Sequence, residues 1–348
     1  MARVVYFYRE MSEYIQIDLD LLRERHDVTV IECRSRWPRP LRLLRLVRSS
    51  DVVMSWFASW HALFPALTCR LLGKPMVLTV GGYDTATGTA SGYGAARGRF
   101  KRLVTWLALR LATRLLVVSQ FARRDALAAG ADPAKLVMVP HGLDPARYAD
   151  PGMEREDLAV TVGGVNTSNL TRKGLEPFVR AAARLPQVHF VVIGAWMDGA
   201  IDRLRLLATP NLTFTGRLSH EEKVAWLWRA RVVVQVSQHE AFGLSLAEGM
   251  LCGAVPVVTD AGALWEVVGD TGVIVASQDP ETIAQGVRRA LTLGAGGSKR
   301  ARERILACFT IDRRRALLHG LVEQATGSGG APGAAGSEER CAGAPKAA

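Results

Sequence analysis

Glu240 and Glu248 stand eight positions apart in the run EAFGLSLAEGMLCGAVPVVT, residues 240–259. The apolar run Val232–Val236 leads into them. Phe242, Gly243 and Leu244 then open a helix that stops at Gly253, and a second apolar run, Val255–Val258, follows. A helix that begins directly after a strand aims its free backbone N–H groups at the carboxyl edge of the sheet, which suits an anion. Gly243 lets a ligand approach the backbone closely. Glu240 falls in the loop, and Glu248 lies about one turn into the helix. One carboxylate therefore reaches each end of a ligand whose phosphates rest on the helix tip. Hydroxyls at both ends with phosphate between them describe a nucleotide-sugar.

The elements that must position these groups are short apolar runs alternating with helical patterns. One set of strand-like runs is Val4–Tyr8, Val28–Glu32, Val52–Ser55, Met76–Val80, Leu115–Ser119 and Leu136–Val139. A second set is Ala159–Gly163, His189–Ile193, Leu212–Thr215, Val232–Val236, Val255–Val258 and Val273–Val275. This alternation implies right-handed βαβ units and parallel sheets. Ser219-His-Glu-Glu222 reads as a capping box before a helix over Lys223–Arg229, and Asp279-Pro280 as an N-cap with Pro at the first helical position. The turn-rich run Asp144–Gly152 separates the two sets, so the boundary is expected near residue 150. The fold class is α/β: two Rossmann-like, doubly wound domains facing across a cleft, with ligands outside the carboxyl ends of the strands. The expected division is 1–150, 151–308, a last helix within 309–326 that crosses back to the first domain, and a disordered Gly/Ala/Ser-rich tail over 327–348.

Composition limits the rest. At 348 residues, a prior of roughly 150 residues per domain agrees with two domains. The most apolar long stretch, Leu103–Val118, is interrupted by Arg110 and Arg114 and is too short and charged to span a bilayer. Five scattered cysteines lack metal-ligand spacing, and the opening MARVVYFYRE lacks a signal-peptide series. A reduced, cytoplasmic protein is expected. Net charge is +11, and only seven of the 44 basic residues are Lys, leaving 37 Arg. That excess reads equally as Arg-for-Lys usage or as an anionic partner. No dinucleotide fingerprint GxGxxG and no nucleic-acid-binding module occurs, so a dehydrogenase and a nucleic-acid partner find no support. No DxD near a strand end offers a metal site, so no metal and no cofactor is expected.

Several longer stretches carry a family resemblance. EAFGLSLAEGM (240–250), TVGGVNTSNLTRKGL (161–175), VPHGLDPARY (139–148) and GRLSHEEKVAWL (216–227) resemble the Glu-x7-Glu element, the phosphate loop with its Lys-Gly, the interdomain stretch and the base-side loop of the retaining GT-B glycosyltransferases of family 4. The match covers about 159–325 well and the first half more loosely. It implies transfer of a sugar from a nucleoside-diphosphate-sugar donor to a glycan, lipid-linked or small-molecule acceptor, with retention at the anomeric carbon. Glu240 would hold donor-sugar hydroxyls, the N–H groups of Phe242, Gly243 and Leu244 the distal phosphate, and Glu248 the ribose hydroxyls. Lys173 and Arg172 would neutralise the departing diphosphate. Gly164 and Asn166 would line the donor loop where the family's Arg usually stands, with Arg172 substituting for that Arg. Arg217 and Leu218 would contact the base mainly through the backbone. The first strand is followed by Glu10–Tyr14 rather than a Gly-Gly loop, and His141 stands where Asn is usual. No His follows the fourth strand. TVGGYD supplies Gly81, Gly82, Tyr83 and Asp84 there, and either Asp84, a backbone carbonyl or no base at all would serve the acceptor.

Ordinary structural readings stand beside these. Glutamates near a helix start are favoured by the macrodipole, but cations there oppose it, so Arg172-Lys173 needs an anion nearby. His61, in WFASWHALFPAL, is an acceptor-side candidate, although a lone His in an apolar segment is more often packed or capping. Gly82 and Tyr83 line either an acceptor pocket or a plain turn. Arg34–Arg48 sets Leu41, Leu44 and Val47 at helical spacing beside Arg42, Arg45 and Arg48, which reads as a surface helix packed on the sheet, as a peripheral contact with anionic lipid at the inner face of a membrane, or as a binder of a prenyl-phosphate acceptor. The competing function class is a non-catalytic nucleotide-sugar-binding subunit of a glycan-assembly complex, motivated by the missing His and displaced Arg. A sugar-nucleotide epimerase is weaker, because Glu-x7-Glu is laid out for transfer.

Overall fold

The computed structural model of the chain describes residues 1–34, 40–86, 94 and 98–327. Its elements run β1 (Arg3–Tyr8), α1 (Glu13–Arg23), β2 (Asp27–Glu32), α2 (Pro40–Ser49), β3 (Val52–Trp56), α3 (Trp60–Leu72), β4 (Met76–Val80), α4 (Arg99–Leu111), β5 (Arg114–Val117), α5 (Gln120–Ala128) and β6 (Leu136–Met138). They continue β7 (Glu156–Val162), α6 (Thr167–Arg172), α7 (Leu175–Ala182), β8 (His189–Ile193), α8 (Ala200–Arg205), β9 (Leu212–Gly216), α9 (His220–Arg229), β10 (Ala230–Gln235) and α10 (Leu244–Leu251). The chain closes with β11 (Val255–Thr259), α11 (Leu264–Val268), β12 (Val273–Val275), α12 (Pro280–Thr292), α13 (Gly294–Cys308) and α14 (Ile311–Ala325).

The strands fall on the apolar runs read from the sequence. Strands buried on both faces need no polar alternation. Every residue of β3, β4 and β11 is accordingly buried. Removing each Val or Leu of such a strand from water contributes about 1.5–3 kcal/mol. One sheet has the order β2-β1-β3-β4-β5-β6 and the other β12-β11-β10-β7-β8-β9, and the neighbouring strands pair in parallel. In each sheet the strand order reverses once, between β1 and β3 in the first and between β7 and β10 in the second. Loops leaving adjacent strands diverge at such a point and open a crevice at the carboxyl edge.

Local signals start the helices as expected. Ser219 and Glu222 form the capping box of α9, with Glu222 N donating to Ser219 Oγ at 3.2 Å and Ser219 N to Glu222 Oε2 at 2.8 Å. Asp279 caps α12 by accepting from Glu281 N and Thr282 N, with Pro280 at the first position.

Among the described residues the chain divides into two units, residues 1–141 with 312–327, and residues 142–311. The first crossing falls at His141–Gly142, ahead of the turn-rich run at 144–152 where the sequence places it. Long-range pairing is the reason. Leu143 N donates to Phe309 O, and Ile311 N donates to Leu143 O, both at 2.8 Å. Tyr148 is then fixed by Glu248, whose Oε1 accepts from the phenol at 2.8 Å. These bonds hold residues 142–148 in the second unit, while α14 belongs to the first from Asp312. There, Arg314 Nε and Nη2 donate to the two oxygens of Asp18 on α1 at 2.6 and 2.8 Å.

On α2, Leu43 and Val47 are buried while Leu41 and Leu44 face outward beside Arg42, Arg45 and Arg48. The expected stripe of Leu41, Leu44 and Val47 is therefore split between the two sides of the helix. Residues 35–39 of the Arg34–Arg48 segment, and the tail beyond Gly327, lie outside the described residues. Among the described residues no helix is long and apolar enough to cross a membrane.

Candidate active site

Three charged side chains, Arg172, Lys173 and Glu240, meet at the second unit's reversal point, on the segments that follow β7 and β10. Glu240 Oε2 accepts from Gln235 Nε2 at 2.9 Å and lies 3.4 Å from Ser237 Oγ. Lys173 Nζ stands 3.9 Å and Arg172 Nη1 4.0 Å from the same oxygen. Glu240 Oε1 has no hydrogen-bond partner among the described residues. Two cations and one half-buried carboxylate thus meet without closing tightly on one another.

Each group is held from behind. Asn166 caps α6 by accepting from Asn169 N at 2.8 Å. Asn169 Nδ2 donates to Gly164 O at 2.7 Å, and its Oδ1 accepts from Arg172 Nη2 at 2.7 Å. Arg172 Nη1 also donates to His239 O, and Arg172 O accepts from Gln238 N at 2.7 Å, which ties α6 to the loop after β10. Arg172 is buried and rigidly placed, while Lys173 crosses Gly163, where an added Cβ would lie 2.8 Å from Lys173 Cδ. Gly194, after β8, lies so near that a Cβ would sit 2.1 Å from Gly163 O.

Gly243 caps α10 with φ +98°, a conformation that favours glycine, so the loop turns into the helix within one residue. The N–H groups of the first turn of α10 have no intrahelical acceptor. Phe242 is buried and packs edge-on against Phe309 at 5.2 Å, which anchors that turn. Leu244 begins α10 and is partly exposed. Glu248 lies on the same helix at 6% exposure. Besides Tyr148, its oxygens accept from Lys223 Nζ of α9 at 2.8 and 2.9 Å. Arg217 is exposed and Leu218 partly buried in the turn between β9 and α9.

In the first unit the candidates behave differently. Asp84 is fully buried, and its carboxyl accepts from Ala58 N at 2.6 Å and Gly81 N at 3.1 Å. Burial pushes its pKa up to about 6 against the pull of those N–H groups. It ties the loop after β3 to the loop after β4, and none of its surface is open to a substrate. His61 is also buried. Its Nε2 lies 2.7 Å from Trp56 O, which can only accept, so Nε2 carries the proton and Nδ1 accepts from Ser59 Oγ at 2.8 Å. Burial lowers its pKa, and the neutral ring fastens the start of α3. Neither side chain presents a free proton-transfer group, contrary to the acceptor-side reading of the sequence. Gly82 adopts φ +85° and is buried, while Tyr83 is 45% exposed beside it.

Two family patterns match consecutive parts of the chain. Glycosyltransferase Family 4 matches residues 20–147 and Glycosyl transferases group 1 matches residues 156–292. The chain belongs to the group 1, family 4 glycosyltransferases. Relatives of this chain include the glycogen synthase of Mycobacterium tuberculosis, 29% identical over 257 residues that make up 70% of this chain and 61% of that one. The chain thus spans less than two thirds of that relative. The GDP-mannose:cellobiosyl-diphosphopolyprenol alpha-mannosyltransferase of Xanthomonas campestris is 28% identical over 278 residues, 77% of this chain and 71% of that one. Among solved structures, HepE of Anabaena in complex with UDP-glucose superposes with a TM-score of 0.77 at 15% identity, covering 93% of this chain and all of that one. That likeness shows that the chain has the GT-B fold.

Several groups that hold this site stand outside the motifs of the sequence. Gln235 is a buried polar residue directly after the apolar run Val232–Val234 of β10, a signal legible in the sequence. Ser237, Lys223 and Tyr148 carry no local signal, because their contacts form only when distant segments meet. Phe57 is the one non-glycine residue with positive φ among those described, at +68°. Its ring covers Gly81, where an added Cβ would come within 2.2 Å of Cε1. Backbone strain of this kind gathers at functional sites, and here it stands at the first unit's reversal point. Among the described residues no three His, Cys, Asp or Glu side chains gather into a metal site.

Proposed function

We propose that the protein transfers a sugar from a nucleoside-diphosphate-sugar to a glycan, lipid-linked or small-molecule hydroxyl with retention of anomeric configuration. The observation that carries this reading is the grouping of Glu240, Lys173 and Arg172 at the carboxyl edge between β7 and β10. The bond from the anomeric carbon to the diphosphate breaks, the diphosphate leaves with the electron pair, and the acceptor oxygen attacks from the same side. The acceptor proton passes to the departing phosphate oxygen. Lys173, Arg172 and the N–H groups of Phe242, Gly243 and Leu244 at the start of α10 meet the charge that develops on that phosphate. Glu240 orients the sugar hydroxyls through its unoccupied Oε1, and Glu248 takes the ribose. Gly164 and Asn166 border the phosphates, and the backbone of Arg217 and Leu218 borders the base. No cofactor enters the scheme. Asp84 acts as a positioning residue for the loops that carry Gly82 and Tyr83, and His61 likewise for the start of α3.

The test is thermal stabilisation by UDP-, GDP-, ADP- and TDP-sugars, followed by NMR of the product's anomeric proton. A melting rise with one nucleotide class and a retained anomer are expected. A rise without turnover on any acceptor would assign the protein to donor binding alone. An inverted anomer would remove the same-side mechanism.

A further inference from the structure

Two histidines that the proposed reaction does not use meet inside the first unit. His26, in the turn between α1 and β2, and His319, on α14, are 8% and 2% exposed. His26 Nε2 lies 3.1 Å from His319 Nδ1, so one shared proton joins the two rings. Their outer nitrogens, His26 Nδ1 and His319 Nε2, are buried and have no hydrogen-bond partner among the described residues. Polar atoms buried this way lose hydration without compensation, and each calls for an explanation. An apolar pair would fill the same space without that loss. The two halves of α14 are thus fastened by different chemistry. Near its start Arg314 is paired with Asp18, and Arg315 Nε donates to Glu24 Oε2 at 2.9 Å. One turn further on, the link to the α1–β2 turn is the histidine pair. Beside it lies a cavity of about 700 Å³ at the starts of β1, β3 and β4, lined in part by His26, Val322 and Glu323. The cavity leaves room for the last turns of α14 to move and for water to reach a freed ring.

Protonation works against this contact. One added proton makes a buried cation whose outer N–H has no acceptor, and a second sets two N–H groups and two positive charges face to face. We propose that the His26–His319 pair is an acid-sensitive latch, which holds the second half of α14 on the α1–β2 turn while neutral and releases it on taking up protons. The latch stands independently of the donor reading. Burial lowers the pKa of both rings, and the neighbouring His26 lowers that of His319 further. The amino group of Met1 and Arg25 push His26 the same way, and Arg25 also acts on His319. Glu323 opposes these effects at both rings and Glu24 at His319. Glu24 is already held by Arg315, its Oε2 stands 3.9 Å from His319 Nε2, and Glu323 is exposed. A freed ring regains the ordinary value of 6.5, above that of the latched one, so the latch is strongest above that pH and weakens as pH falls below it.

The experiment is hydrogen exchange of the full chain, read by mass spectrometry and corrected for intrinsic rates. Between about pH 6.5 and about pH 5, opening of residues 318–325 should rise roughly tenfold for each proton taken up. Residues 311–315 and β1 should keep their protection. His26→Gln with His319→Gln keeps polar side chains but removes the titration, so its opening should be level with pH. Should that variant not fold, ring NMR of the unaltered chain decides: both rings should titrate below pH 6.5 in step with the opening of α14. Unchanged protection of residues 318–325 across this range would overturn the proposal, as would the same pH-dependent loss in the double variant. An equal loss in β1 and residues 311–315 would also overturn it, since the whole unit would then be unfolding. So would rings that titrate at the ordinary value while α14 stays protected.

Discussion

Asp18 and Arg314 in the first unit meet at 2.6 and 2.8 Å, and each side chain is 1% exposed. In the second unit Glu240 faces Lys173 and Arg172 at 3.9 and 4.0 Å, and the glutamate side chain is 20% exposed. The first pair is saturated: Arg314 Nη1 also donates to Val139 O and Pro140 O, and Trp56 Nε1 donates to Asp18 Oδ2. The second is held from behind yet left open in front. Buried charge costs desolvation either way, and it is tolerated when partners repay that cost. In the first unit the partners are all protein. In the second, on the proposed function, part of the compensation is left for a ligand with phosphate between two hydroxylated ends.

The contrast breaks first on the saturated side. Arg314→Ala leaves Asp18 buried with only the Trp56 indole, and should cost about 3–5 kcal/mol in urea unfolding. Asp18→Leu combined with Arg314→Met should recover part of that loss, because no lone charge stays buried. A single-variant cost under about 1 kcal/mol would show that the pair is no closed network. On the open side the order of effects reverses. Glu240→Gln and Lys173→Ala should leave the melting temperature nearly unchanged and lower kcat by about 10²–10³-fold. Full transfer activity in either variant would remove the site from the second unit.

Asp84 gives a pH test of the first unit. Its folded pKa of about 6 lies above the ordinary 3.8, so the folded chain holds this proton more tightly than the unfolded chain does. Its stabilising contribution is therefore full below about pH 4 and falls as pH rises through about 6. The fall should be on the order of 2 kcal/mol. Asp84→Asn should flatten that slope in unfolding measured from pH 4 to pH 7, while donor binding in the second unit stays level. An unchanged slope would mean that another group titrates.

Much of this arrangement is legible along the chain, and the illegible part has a consistent cause. Parallel strands buried on both faces read as plain apolar runs, so both sheets are readable from Val4 to Val275. Glu240, Arg172 and Lys173 converge because a reversal point brings the loops after β7 and β10 together, which strand order alone implies. What escapes is contact between distant segments. Leu143 joins the second unit because it pairs with Phe309 and Ile311, and nothing local to Leu143 says so. His61 and Asp84 are the type of residue that does proton chemistry, but the backbone at Trp56, Ala58 and Gly81 occupies them. The split of Leu41 from Val47 on α2 is a further case, since spacing alone does not say which side of a helix meets the sheet.

The smallest effects probe the end of the open site away from the phosphates. Glu248 is gripped by Lys223 and Tyr148, so on the proposed function it would meet the ribose already oriented, and neither neighbour would need to touch the ligand. Lys223→Met removes a charge-assisted partner and should weaken donor binding by about 2 kcal/mol. Tyr148→Phe removes one neutral hydroxyl and should cost about 1 kcal/mol, roughly fivefold in Kd by titration calorimetry. Both should act on donor affinity and leave kcat at saturating donor unchanged, because the bond that breaks lies at the other carboxylate. An equal fall in kcat in the Tyr148 variant would place Glu248 in the reacting centre. The distinction between its role and that of Glu240 would then collapse.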